Sequence, residues 1–169
     1  MDGWRNRFAK PTRARHTGLV SPADGELVTG GSEVRRKFID SVISQYNRDY
    51  LYNLINYNNA LSQRNALLKS TTSQSNPDYE QFELWDHQLV QYGQTIYESR
   101  SEFISKTLPA FNDYYKYISG HKEQVGLVYE SQLSKNDFAA QLRNAFNRDR
   151  VLQYTTVGIH KDDLALNIN

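Results

Sequence analysis

The chain contains no cysteine. That excludes disulfides and thiolate metal centres, and it fits a reducing, cytoplasmic setting. No apolar run approaches the roughly 20 residues that a membrane span requires. The first residues are basic but carry no apolar segment, so they do not form a secretory signal. A net charge of +1 excludes a polycation or an acidic tail as the character of the whole molecule. With 169 residues there is enough chain for one domain with a modest core. A mean hydropathy of −0.73, with abundant asparagine and tyrosine, indicates an elongated helical protein with much surface.

What is present is periodicity. From Asp78 to Ser119 the large apolar residues Phe82, Trp85, Leu89, Tyr92, Ile96 and Phe103 fall three, four or seven apart. Ile104, Leu108, Phe111, Tyr115 and Ile118 continue the stripe. This spacing defines one face of a helix and no face of a strand. Glutamates and glutamines lie between, on the solvated side. Pro109 predicts a kink or a restart near Leu108. Upstream, Tyr50 to Lys69 reads as a second long helix, with Leu51, Leu54, Ile55, Asn58, Leu61, Asn65 and Leu68 on one face. A polar loop, Ser70 to Asn76, joins the two, which predicts an antiparallel hairpin. Leu51, Leu54, Ile55 and Leu61 are expected to pack against Phe82, Trp85, Leu89, Tyr92 and Ile96. A shorter helix is expected from Glu33 to Tyr46, capped by Ser32. In it Arg36 and Asp40 stand four apart and can pair.

The flanks differ. Residues 19–31 read as a short strand leading into turns. Val125 to Tyr129, Thr155 to Gly158 and Leu164 to Ile168 read as strands, around a helix over Asp137 to Arg148 capped by Ser134. The fold expected is therefore mainly α, a long antiparallel helical arm with short strands at both chain ends. Its parts are a basic segment and strand over 1–31, the arm over 32–120, and a strand–helix–strand return over 121–169.

Candidate chemistry is sparse. Gly25, Gly30, Gly31 and Ser32 nearly spell a phosphate-binding loop, but Gly31 stands where that loop needs lysine, so no nucleotide site is assigned. His160, Asp162 and Asp163 are metal ligands by type, yet adjacent carboxylates on an extended segment point to opposite faces, and a polar turn is the favoured reading. No Ser-His-Asp or HExxH arrangement occurs. Basic residues gather twice, as Arg5, Arg7, Lys10, Arg13 and Arg15, interleaved with Trp4 and Phe8, and as Arg35-Arg36-Lys37. Arginine with interleaved aromatics suits phosphate contact and base stacking. Arg5, Arg7, Arg13, Arg15, Arg35 and Lys37 are the candidate DNA contacts.

Several stretches, taken in order, resemble the RecF family. Ser21-Pro22-Ala23-Asp24, Leu27-Val28, Gly30, Arg35-Arg36 and Phe38-Ile39-Asp40 are similar to its SPxDL…LV.G…RR.FLD pattern. Tyr50-Leu51, Leu54, Tyr57-Asn58, Leu61, Gln63-Arg64-Asn65 and Leu67-Leu68 follow its YLxxLxxYNxxLxQRNxLLK run. Leu84-Trp85-Asp86, Leu89 and Arg100 resemble its next helix. Gly158, His160, Lys161, Asp162-Asp163 and Leu164 match its GPHRDDL segment, with Ile159 for proline and Lys161 for arginine. The resemblance implies an arm inserted in an ABC-type ATPase head that binds ATP and Mg²⁺ and dimerises on DNA. It also implies work with RecO and RecR in loading RecA. The family's Walker A, signature and Walker B motifs match no positions here, so catalytic, cofactor and metal residues are assigned to none in this chain. The expected contribution is contact with DNA and protein, not hydrolysis. The alternatives are a free-standing helical adaptor and an enzyme built on His160 and the aspartate pair.

Overall fold

The computed structural model describes residues 26–71, 78–120, 125–134 and 137–168. Their order is α1 (Glu26–Thr29), α2 (Ser32–Tyr46), α3 (Arg48–Ser70), α4 (Glu80–Ser119), β1 (Val125–Glu130), a 3₁₀ turn (Gln132–Ser134), α5 (Phe138–Leu152), a second 3₁₀ turn (Ile159–Lys161) and β2 (Asp163–Ile168).

Helices α3 and α4 form the expected antiparallel hairpin. Tyr50 meets Arg100, Tyr57 meets Gly93 and Arg64 meets Asp86. Contacts thus advance by seven residues on one helix while retreating by seven on the other. That step keeps a seam of two helices in register. On α3 the seam is rotated by one position from the apolar reading, whereas Phe82, Leu89 and Ile96 of α4 are buried as expected. Its buried members are Tyr50, Tyr57, Ala60, Arg64 and Leu68 on α3, and Phe82, Asp86, Leu89, Gly93, Ile96, Arg100 and Ile104 on α4. Leu51 and Ile55 face solvent, 41% and 52% exposed. Leu54, Leu61, Trp85 and Tyr92 pack at the flanks of the core. The cause is the set of charged residues at seam positions, which a count of apolar residues cannot include.

Several local expectations are corrected. Helix α4 runs through Pro109 without restarting. Residues 26–29 are one helical turn rather than strand, and the rest of the strand expected over 19–31 lies outside the described residues. Ser32 opens α2 but makes no side-chain cap. Asn47, between the two expected helices, caps α3 by accepting the Tyr50 amide. Asp137, not Ser134, caps α5 through the Ala140 amide. Thr155 to Gly158 is irregular backbone leading into a 3₁₀ turn.

β1 and β2 pair antiparallel, with Val125 opposite Ile168 and Glu130 opposite Asp163. The sheet leans on α4, where the Tyr129 and Tyr97 rings stack with centroids 5.8 Å apart. One core links Ile39 and Ile43 of α2, the hairpin, Phe138 and Leu142 of α5, and Val157 and Ile159. Fully burying an aliphatic side chain of this size stabilises by about 1.5–3 kcal/mol.

Candidate functional site

The segment from Thr155 to Asp163 is short and irregular, yet three polar clusters converge on it from the arm. The first sits on Arg64, whose side chain is fully buried. Its Nε donates to Asp86 Oδ1 at 2.5 Å, and its Nη1 to Asp149 Oδ2 at 2.7 Å and Thr155 Oγ1 at 2.9 Å. Tyr79 donates to the other Asp86 oxygen at 2.6 Å. Burial, with Asp86 beside it, pushes the Tyr79 hydroxyl up to about 12. Asn65 Oδ1 accepts from the Thr155 amide at 2.7 Å. One arginine thereby ties α3 to α4, to α5 and to the Thr155 segment.

The second cluster sits on Arg100. Its Nη2 donates to Asp40 Oδ1 at 2.8 Å and its Nη1 to the Ile159 carbonyl at 3.0 Å. Asp162 Oδ2 is 3.6 Å from Nη1 and accepts from the Tyr129 hydroxyl at 2.5 Å. Burial works against the Arg100 charge, but Tyr50, Asp40 and Tyr129 outweigh it and raise its pKa. Arg36 donates to the Asp162 carbonyl at 2.5 Å. The expected Arg36–Asp40 pair does not form, because Asp40 is held by Arg100 and Tyr50.

The third cluster is His160. A carbonyl only accepts, so His160 Nε2–H donates to the Thr155 carbonyl at 3.0 Å. Nδ1 is then the acceptor for the Tyr57 hydroxyl at 2.8 Å. Burial pushes the imidazole pKa down to about 4. Gly158 beside it has φ 130°, and a Cβ there would stand 2.5 Å from Tyr57 Oη.

The three metal candidates are held apart. His160 faces Tyr57, Asp162 faces Tyr129 and Arg100, and Asp163 faces Arg35. Burial raises the Asp162 pKa, whereas the Arg35 hydrogen bond lowers that of Asp163. Neighbouring carboxylates thus sit in opposite environments. Among the described residues no group of three ligands is placed to hold a metal.

Of the candidate DNA contacts, Arg5, Arg7, Arg13 and Arg15 lie outside the described residues. Arg35 grips Asp163 with two bonds of 2.8 and 2.9 Å and donates to the Gly30 carbonyl at 2.7 Å. Lys37 is exposed and pairs with Glu33 at 2.7 Å. The sequence reading placed no role on Arg64, Asp86, Arg100 or Asp149. Their signal was a charge at a seam position, as in Ile96-Arg100-Ile104 and Phe82-Asp86-Leu89.

The Gly30 amide donates to the Glu26 carbonyl and the Gly30 carbonyl accepts from Arg35, so both backbone groups of that glycine are engaged within the chain. A cleft of about 290 Å³ beside Arg36, Lys37, Arg100 and His160 is lined by cations already engaged by the Asp162 carbonyl, Glu33 and Asp40.

A helical hairpin wired to a small sheet through one return segment is the arm-bearing part of an ABC-type ATPase fold. In sequence and fold alike, the chain matches the RecF family over a segment of the longer protein. It is 44% identical over 169 residues to the DNA replication and repair protein RecF of Parabacteroides distasonis, which covers 97% of this chain and 45% of that protein. RecF of Flavobacterium johnsoniae is 45% identical over 151 residues, covering 89% and 42%. RecF of Bacteroides fragilis is 47% identical over 146 residues, covering 86% and 39%. The chain spans less than half the length of these relatives. A solved structure of the recombination mediator protein RecF-ATPrS in the RecFOR pathway superposes with a TM-score of 0.81 at 27% identity, over 89% of this chain and 42% of that one. The RecF-ATP structure gives 0.80 at 28% over the same shares. No family model matches the chain.

Proposed function

We propose that this chain acts as the arm of a RecF-type gap-repair protein, supplying contacts to DNA and to partner proteins and no hydrolysis of its own. One observation carries the reading. Many of the residues that resemble RecF also take part in the junction: Arg35, Arg36, Asp40, Tyr50, Tyr57, Arg64, Asn65, Asp86, Arg100, Gly158, His160, Asp162 and Asp163. A free-standing adaptor would have no need to anchor an arm so heavily to one short return segment. ATP and Mg²⁺ would then belong to other parts of a longer protein, as would its dimerisation and its work with RecO and RecR on RecA. DNA contact by this chain alone is weak and independent of sequence, because few phosphates are neutralised, and it declines as salt rises. The engagement of Arg35 by Asp163 gives that arginine a structural part, and leaves Lys37 as the exposed member of its cluster.

The test pairs two titrations on the whole chain. Calorimetry with ATP and Mg²⁺ is expected to show no saturable binding, since the lysine and acid that hold phosphate and metal in such enzymes are missing. Fluorescence anisotropy with a labelled duplex is expected to show binding at low salt that is lost towards physiological strength. Micromolar ATP binding, or no duplex binding at any salt, overturns the reading.

A further inference from the structure

We propose that the solvent face of α5 is a contact surface for the phosphate backbone of duplex DNA, an assignment that rests on the repair reading above. The exposed residues of α5 include Arg143, Asn144, Asn147, Arg148 and Val151. At 100° per residue they lie within one side of the helix. The helix contains a single carboxylate, Asp149, which points inward and is consumed by Arg64 and Thr156. The outer face of α5 therefore carries no acid of its own, although Glu83 and Asp86 of α4 line the cleft beside Arg143.

How the cations are held matters more than their number. Arg35, Lys37 and Lys106 are each answered by a carboxylate. Arg143 instead lies over the Tyr79 ring at 5.8 Å, and Arg148 donates to Thr156 Oγ1 at 2.9 and 2.6 Å. Among the described residues no carboxylate pairs with either. Lys161, at the same end of the helix, covers the Tyr154 ring at 4.9 Å. Neutral anchors fix these groups in place without an ion pair to either arginine among the described residues. That lowers the ordering cost of binding an anion and keeps the full attraction. A guanidinium also presents a fork that matches phosphate. Arg143 and Arg148 are five residues apart, a rise of about 7.5 Å, so they reach separate phosphates. Asn144 and Asn147 between them add amide donors of the kind that contact backbone oxygens. A protein partner would call for a central aromatic anchor in a pocket, and the outer face of α5 offers none.

The experiment uses the whole chain and a short labelled duplex in fluorescence anisotropy across a salt series. Arg143→Gln/Arg148→Gln is expected to weaken binding tenfold or more at low salt. It is also expected to reduce the slope of log affinity against log salt by about 1.8, the value for two phosphates. Arg143→Lys/Arg148→Lys keeps the charge and is expected to stay within a few-fold of wild type. Arg48→Gln/Lys106→Gln removes the same net charge from exposed positions elsewhere and is expected to change little. Circular dichroism checks that each variant is folded. Equal binding by wild type and the glutamine pair overturns this site and leaves the repair reading intact. No duplex binding by wild type overturns both. Displacement of the duplex by poly-glutamate at equal charge concentration overturns the phosphate assignment in favour of an acidic protein surface.

Discussion

Arg64→Ala is the most informative perturbation of this fold. The side chain is fully buried and touches two carboxylates, Asp86 and Asp149, whose side chains are 9% and 0% exposed. Truncation removes hydrogen bonds of 2.5, 2.7 and 2.9 Å at once. The pair energy itself is not the main loss, because desolvation offsets much of it. The cost arises from leaving buried acids without a cation, about 3–5 kcal/mol when one partner of a buried pair is removed. Against a total stability of about 5–15 kcal/mol, that is about a fifth of the fold or more. Urea denaturation followed by circular dichroism should show a large fall in midpoint with little change in slope. A cycle with Asp149→Ala adds a second test. Removing the acid first relieves part of the penalty, so the double variant should lose less than the two single losses added together, by about 1 kcal/mol or more. A loss below about 1 kcal/mol for Arg64→Ala, or additivity within about 0.5 kcal/mol, would refute the claim that this arginine anchors the arm.

Three further outcomes are expected. Trp85→Ala, at a half-buried seam flank, should cost about 2 kcal/mol, below the 3–5 typical of a fully buried tryptophan and below Arg64→Ala; the reverse order in the same denaturation series would contradict the seam described here. Gly158→Ala should destabilise by about 1–3 kcal/mol from backbone strain at φ 130°; Tyr57→Phe in the same chain should restore part of it, since the added Cβ would meet Tyr57 Oη at 2.5 Å. His160 has its pKa pushed down from 6.5 to about 4 in the folded state. The unfolded chain therefore binds its proton first, so stability from this group is complete above pH 6.5 and is lost as pH falls towards 4, by up to about 3 kcal/mol. His160→Asn should flatten that part of the profile, and an unchanged profile would show that His160 does not titrate as its burial dictates.

The hairpin was legible because its period is long and regular. Its direction and partner helix followed from the apolar stripe and the polar loop alone. The exact seam was not, and the reason is physical. Apolar counting treats charge as a mark of solvent, so Arg64, Asp86 and Arg100 were set outside the interface and Leu51 and Ile55 drawn in. The base was less legible still. A short segment such as Thr155 to Gly158 is β-branched enough for a strand, yet its amides and hydroxyls bond to Asn65, Asp149 and Gln132 side chains and not to a neighbouring strand. Asp162 and Asp163 were rightly expected to diverge, because adjacent residues on extended backbone point to opposite faces.

The junction also changes how the resemblance to RecF should be read. Motif residues invite a catalytic or binding assignment, and Arg35 received one. The coordinates give most of these residues a mechanical part. Arg64 joins α3, α4 and α5, Arg100 joins α2 and α4 to Ile159, and Arg35 joins α2 to Asp163. Each link pairs a cation on the helical side with an acid or carbonyl across the junction, and none of the three faces solvent freely. Such wiring makes the arm and its base move together, since rotating one against the other would strand several buried charges at a cost of several kcal/mol each. In the role proposed above, contacts with DNA would then fall to residues outside the wiring, and Arg143 and Arg148 of α5, held by a ring and a hydroxyl and not by a carboxylate, are the pair that the proposal assigns to it.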